Sequence, residues 1–155
     1  MSLDAFLRLG ETITLGTHRF TADEIKTFAR AFDPQPFHVD EEEARRSVFG
    51  ALCASGWHTC AMWMRYNLKG LARLGPGPWD GPGEAPEFGP SPGFSDLKWP
   101  KPVYAGDAIT FYRAVVSHRP LASRPGWHLV TLHAAAENQD GQPVLSMVNG
   151  VLLRT

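Results

Sequence analysis

The period at which apolar residues recur changes along this chain, and the changes outline its elements. Glu11-Thr12-Ile13-Thr14-Leu15 alternates polar and apolar, as a half-buried strand does; Gly16-Thr17 offers a turn, and His18-Arg19-Phe20 a short return strand. Thr21 to Glu24 has the capping-box arrangement, a hydroxyl three positions before a glutamate. Behind it Ile25, Phe28, Ala29 and Phe32 recur at helical spacing. Pro34 disfavours helical geometry at Asp33, so this helix ends near Phe32. Asp33 to His38 carries two prolines and reads as rigid and non-helical, after which Asp40 caps a short helix over Glu41 to Ser47.

A longer helix is expected from Trp57, with Ser55 at its N-cap. Trp57, Cys60, Ala61, Met64, Leu68 and Leu71 form an apolar stripe widened by Trp63, which predicts a helix buried on most sides. Gly75 to Gly93 is rich in glycine and proline and reads as neither strand nor helix. Its Trp79 and Phe88 suit either a surface insertion or a loop packing over a substrate tunnel or a partner subunit. The remainder reads as a meander. Ser95 to Tyr104 is an edge strand interrupted by Pro100 and Pro102. Asp107 to His118 follows with Ile109, Phe111 and Val115 on one face, then Trp127 to Glu137, an Asn138-Gln139-Asp140-Gly141 turn, and Val144 to Leu153. Helices followed by consecutive antiparallel strands make an α+β chain, and a sheet wrapped around the apolar helix is the simplest way to bury it.

Composition narrows the picture. A chain of 155 residues with 43% hydrophobic and 20% charged side chains is expected to form one domain over residues 1–155 with its own core. A formal net charge of -1 gives no electrostatic footprint for nucleic acid or an anionic membrane. The start lacks a basic and then apolar leader, and no apolar run approaches the roughly 18 residues of a membrane span, so a cytoplasmic protein is expected. Cys53 and Cys60 make no disulfide framework and read as reduced thiols.

The chemistry concentrates between Asp33 and Gly56. An acid and an imidazole five positions apart in a proline-stiffened loop can move protons on either side of a bound water. Taken alone, the pair reads more readily as a helix end at Asp33 with His38 packed beside it, since Asp-Pro and His are common in loops. Ser55-Gly56 starts the apolar helix, where free amides and the positive dipole end suit an oxyanion. Gly56 lets a ligand come close to the backbone, and Trp57 with Trp63 and Met64 suggests an apolar lining. Other motifs are weak. No glycine lies two positions before Ser55 as a nucleophile elbow needs, and His38, Asp40 and His58 lack zinc spacing. There is no phosphate-binding glycine loop. No metal or cofactor is implied. Arg45, Arg46, Arg65, Lys69 and Arg73 read as solvated helix faces, with contact to the phosphate of a ligand as the alternative.

Two blocks, Ala29-Arg30-Ala31-Phe32-Asp33-Pro34-Gln35-Pro36-Phe37-His38-Val39-Asp40 and Phe49-Gly50-Ala51-Leu52-Cys53-Ala54-Ser55-Gly56, resemble the hydratase motif of the MaoC-like dehydratases. Lys98 to Asp107 resembles a later strand of the same family, with its Pro-Val…Gly-Asp ending. The resemblance implies a hotdog fold, at least a homodimer, and R-specific hydration of enoyl-CoA thioesters. Carried over by position, Asp33 and His38 match the acid/base pair, Ser55 the residue that orients the site, and Gly56 the amide facing the thioester carbonyl. Gln35 stands where the family usually has Asn, and Phe32 where Gly is common; neither change removes a catalytic group. A hotdog thioesterase is the nearest rival, because the fold hosts both chemistries, and a non-catalytic acyl-binding subunit is the other.

Overall fold

Thr21 and Asp40 act as the caps their sequence context predicts: Thr21 Oγ accepts from the Glu24 amide and Asp40 Oδ1 from the Glu43 amide. The computed structural model describes residues 2–155. Its elements run α1 (Ser2–Leu7), β1 (Thr12–Arg19), α2 (Ala22–Phe32), α3 (Pro36–Val39), α4 (Glu41–Arg46) and α5 (Gly56–Leu74). They continue through β2 (Glu87–Phe88), β3 (Gly93–Lys98), β4 (Ala108–Pro120), β5 (Trp127–Glu137) and β6 (Pro143–Arg154). The strands are antiparallel in the order β1-β4-β5-β6, and the other edge of β6 is shared by β3 and β2. This curled sheet with α5 laid along its inner face is the hotdog fold.

Ile13, Leu15, Phe111, Val115, Val130, Leu132 and Met147 alternate onto the inner face and build the core with Phe20, Ile25 and Trp63. α5 is held against the sheet by its narrow residues. Gly70 lies close enough to Leu15 that a Cβ would sit 2.9 Å from its Cδ2. Trp63 Nε1 donates to the Tyr112 carbonyl at 2.9 Å.

The structure departs from the sequence expectations in five places. Gly16-Thr17 lies inside one continuous strand β1, not in a turn between two; the register slips just before it, between Thr14 and Gly16, and the Tyr66 ring of α5 fills the space a side chain at Gly16 would need, where φ is 144°. Residues 2–7 form a helix that was not anticipated, pinned where Phe6 meets Trp79 edge-on and stacks on Phe88. Thus the aromatics of the glycine- and proline-rich loop pack on α1, and residues 87–88 of that loop form a short strand against β6. The Asp33–His38 segment is also not wholly non-helical: Pro36 starts a single helical turn that carries His38, with the proline at a position where its missing N–H costs nothing.

The fifth departure concerns α5. It is not buried on most sides. Thr59, Trp63, Asn67 and Gly70 face the sheet, while Trp57, Met64 and Leu68 of the expected apolar stripe are 51%, 45% and 62% exposed. None of the described helices is long and apolar enough to cross a membrane.

Candidate active site

The loop after α2 and the start of α5 meet because the segment Cys53–Ala54 is tied on both sides. The Cys53 amide donates to the Phe37 carbonyl, and the Ala54 amide donates to the Val103 carbonyl. This brings Asp33, Gln35, His38, Ser55 and Gly56 together, although 23 positions separate the first from the last. His38 is buried, and its Nδ1 lies 2.6 Å from the Cys53 carbonyl. A carbonyl only accepts, so Nδ1 carries the proton and the lone pair of the neutral ring sits on Nε2. That Nε2 lies 3.4 Å from Asp33 Oδ2.

Asp33 is held from its other side. Gln35 Nε2 donates to Asp33 Oδ1 at 2.8 Å, and the fully buried Ser55 hydroxyl also donates to the carboxylate. Burial pushes the Asp33 carboxyl up. The hydrogen bonds from Ser55 and Gln35 and the proximity of His38 outweigh burial together and hold it below its ordinary value, so it is ionised at neutral pH. Ser55 Oγ at the same time accepts from the Trp57 amide at 3.3 Å, so one hydroxyl caps α5 and orients Asp33. Gly56 is the first residue of α5, where a backbone N–H has no partner within its own helix.

All these groups except Ser55 line a cavity of about 450 Å³ whose walls also include Phe37, Phe49, Trp57, Trp99, Lys101 and Val144. Trp99 lies so close to Gly56 that a Cβ there would stand 2.3 Å from the ring, and it meets Trp57 edge-on at 5.2 Å. Gly56 is therefore required by the packing of Trp99. Cys53 is no nucleophile paired with His38, since burial and the charge of Asp33 push its thiol up to about 11.

Every sequence-predicted site residue falls at this one place. Trp99 and Lys101 were missed as site residues, since Trp99-Pro100-Lys101-Pro102 reads as a broken edge strand. The signal lay in the two prolines, which take the chain out of the ladder and across the start of α5. The basic residues considered for a phosphate contact divide. Arg45 and Arg46 pair with Glu42 and Glu43 along α4, while Arg65, Lys69 and Arg73 lie on exposed positions of α5, none of them lining this cavity.

Residues 7–77 match the family described as the MaoC like domain. Over 62 residues the chain is 40% identical to the uncharacterized protein YdeM of Bacillus subtilis, a match that spans 40% of this chain and 43% of that relative. The structure superposes on a MaoC-like dehydratase from Rhodospirillum rubrum with a TM-score of 0.76 at 38% identity, covering 94% of this chain and 92% of that one. It shares its fold with an (R)-hydratase from A. caviae involved in PHA biosynthesis, at a TM-score of 0.63 and 22% identity, covering 94% and 95% of the two chains. With this identity maintained over nearly its whole length, the chain belongs to the MaoC-like family.

Proposed function

We propose that the protein is a hydratase or dehydratase that adds water reversibly across the double bond of a 2-enoyl thioester, most simply an acyl-CoA. The observation that carries this reading is the Asp33–His38 pair, its two facing atoms 3.4 Å apart in the wall of a cavity that Gly56 also lines. A water held by Asp33 Oδ2 and His38 Nε2 attacks the β-carbon as Asp33 takes one of its protons. The electron pair of the double bond moves toward the thioester oxygen, where the Gly56 amide and the positive end of α5 receive the developing charge. The pair then delivers a proton to the α-carbon, so that H and OH have been added and both side chains return to their starting states. Dehydration is the reverse. Gln35 and Ser55 keep the carboxylate aimed at the water, and Trp57 with Trp99 lines the approach of the acyl group.

Membership of the MaoC-like family and the shared fold of an (R)-hydratase support this reading. The exposed stripe Trp57, Met64 and Leu68 beside the edge strand β3, where Phe94 is 56% exposed, supports a homodimer closed over that face. Two free thiols suit a reducing, cytoplasmic setting. The test is the loss of conjugated-thioester absorbance when purified protein meets crotonyl-CoA and longer or branched enoyl-CoAs. Loss with the wild type and none with Asp33→Asn is the expected result. Release of free CoA without prior loss of the double bond would replace the reading with a thioesterase, and binding without turnover across the series would replace it with an acyl-binding subunit.

A further inference from the structure

His38 keeps its tautomer only while the Cys53 carbonyl stays where it is, 2.6 Å from Nδ1. That carbonyl belongs to no helix and to none of the strands β1 to β6, so its placement needs another cause. The cause is a single antiparallel bridge between Cys53 and Tyr104. The Ala54 amide donates to the Val103 carbonyl at 2.7 Å, and the Ala105 amide donates to the Leu52 carbonyl at 3.1 Å. When the neighbours are bonded in this way, the two central residues face each other without hydrogen bonds and turn their own N–H and C=O outward. Cys53 therefore presents both its main-chain groups to α3: its amide donates to the Phe37 carbonyl at 3.3 Å, and its carbonyl accepts from His38.

The loop that supplies the other half of the bridge, residues 103–107, is fixed by its own side chains. Asp107 Oδ2 accepts from the Tyr104 amide at 2.9 Å, and Asp107 Oδ1 accepts from Gln139 Nε2 at 3.0 Å. The Tyr104 hydroxyl crosses to the Phe49 carbonyl and donates to it at 2.9 Å, four positions before Cys53. Phe49 packs edge-on against Phe37 at 4.9 Å, and Phe37 edge-on against His38 at 4.5 Å. Tyr104 thus braces the histidine along two paths, through the main chain at Cys53 and through the rings of Phe49 and Phe37. It is half-buried and lies outside the wall of the catalytic cavity.

We propose that Tyr104 is a positioning residue for the acid/base pair: its hydroxyl, by holding Phe49 and with it the segment that carries the Cys53 carbonyl, keeps the His38 ring aimed through Nε2 at Asp33. The bridge at Cys53 consists of two hydrogen bonds and has no ladder beyond it to resist twisting. The tyrosine hydroxyl adds a further point of attachment, away from the axis of those two bonds. A small turn of the ring matters because proton transfer requires heavy atoms within hydrogen-bond reach, and misplacement from a distance is costly to rate. The effect on turnover rests on the hydratase reading above; the effect on the ring does not.

Tyr104→Phe removes the hydroxyl alone, and two measurements on the full chain decide its role, both at a temperature where wild type and variant are folded. Nitrogen NMR of protein labelled in its histidine rings reports which nitrogen carries the proton, with the His38 signals identified by their absence from His38→Gln. The neutral ring is expected to be protonated at Nδ1 alone in the wild type and to be a mixture of both tautomers in Tyr104→Phe. With crotonyl-CoA, kcat is expected to fall about 3- to 10-fold, the range of one hydrogen bond. Tyr112→Phe is the control: it deletes a comparable hydroxyl, bonded to Glu137 at 2.7 Å, and should change neither measurement. Asp107→Asn, which keeps an acceptor for only one of its two donors, should act in the same direction as Tyr104→Phe and serves if that variant does not fold. Unaltered His38 signals in the variant overturn the proposal, whether or not the rate falls. So does an unchanged kcat where the wild type is active, or a change of equal size in Tyr112→Phe. Failure of the hydratase reading shows differently: the wild type turns over no enoyl-CoA, yet the tautomer mixture still appears in Tyr104→Phe.

Discussion

His38 and His58 are equally buried, at 5% exposure each, and lie on either side of the start of α5, yet their surroundings give them opposite properties. His38 has the Cys53 carbonyl at Nδ1, which fixes its tautomer, and the Asp33 carboxylate 3.4 Å from Nε2. His58 lies flat against Phe28 with ring centroids 4.6 Å apart, meets Phe20 edge-on at 4.9 Å, and leaves Nδ1 without a hydrogen bond. Burial pushes its pKa down to about 4, with the nearby Glu24 charge opposing and His18 adding to the fall. Equal burial therefore does not make equal surroundings: only His38 has an acceptor fixing one nitrogen and a carboxylate beside the other.

The contrast breaks most sharply at the carboxylate. Asp33→Asn, or His38→Gln, is expected to lower kcat for enoyl-thioester hydration by about 10²- to 10⁴-fold while the melting temperature stays close to wild type. Steady-state assays with matched melts check this, and near-wild-type rates in either variant would dissolve the distinction between the two histidines.

The next effect belongs to His58 and appears in stability. Its pKa in the folded chain, about 4, is below its ordinary 6.5, so the unfolded chain binds the proton more readily between those values. The contribution is fully present above pH 6.5 and is lost as pH falls toward 4, amounting to roughly 3 kcal/mol. His58→Phe should flatten the dependence of urea midpoint on pH across that window and leave turnover at neutral pH within about twofold. An unchanged slope would show that the ring is accessible to solvent.

Ser55→Ala should come third. Loss of the cap lowers stability by about 1 kcal/mol. Removal of a hydrogen bond to the carboxylate raises the Asp33 pKa, so the acid limb of the rate profile moves to higher pH. Ser55→Thr keeps a hydroxyl and should restore the limb. The smallest expected change is at Lys101, exposed at the cavity mouth. Lys101→Glu should raise KM for a CoA thioester a few-fold at low salt, with kcat unchanged and the difference fading as salt rises.

Much of this was legible in the sequence wherever local signals decide. Trp127–Glu137 is a strand over the residues its alternation marks, and the caps at Thr21, Asp40 and Ser55 act as such. What failed depended on distant parts of the chain. Gly16 reads as a turn because nothing nearby reveals that Tyr66, 50 positions later, occupies the missing Cβ. The six residues of α1 are too few for a helical period and are fixed by Trp79. Asp33, His38, Ser55 and Gly56 could be named from their motif, but that His38 is oriented by a main-chain carbonyl leaves no mark on residue type.

The double role of the Ser55 hydroxyl limits how this protein can change. Its donor half holds the Asp33 carboxylate and its acceptor half closes the first turn of α5, so fraying of that helix end and misalignment of Asp33 are one event. Substitutions that strengthen the cap by drawing the hydroxyl toward the helix would loosen the acid, and those that bind the acid more firmly would open the cap. On the proposed mechanism, thermal tolerance and turnover are coupled at this residue, and a lineage adapting to heat would have to stabilise the fold elsewhere.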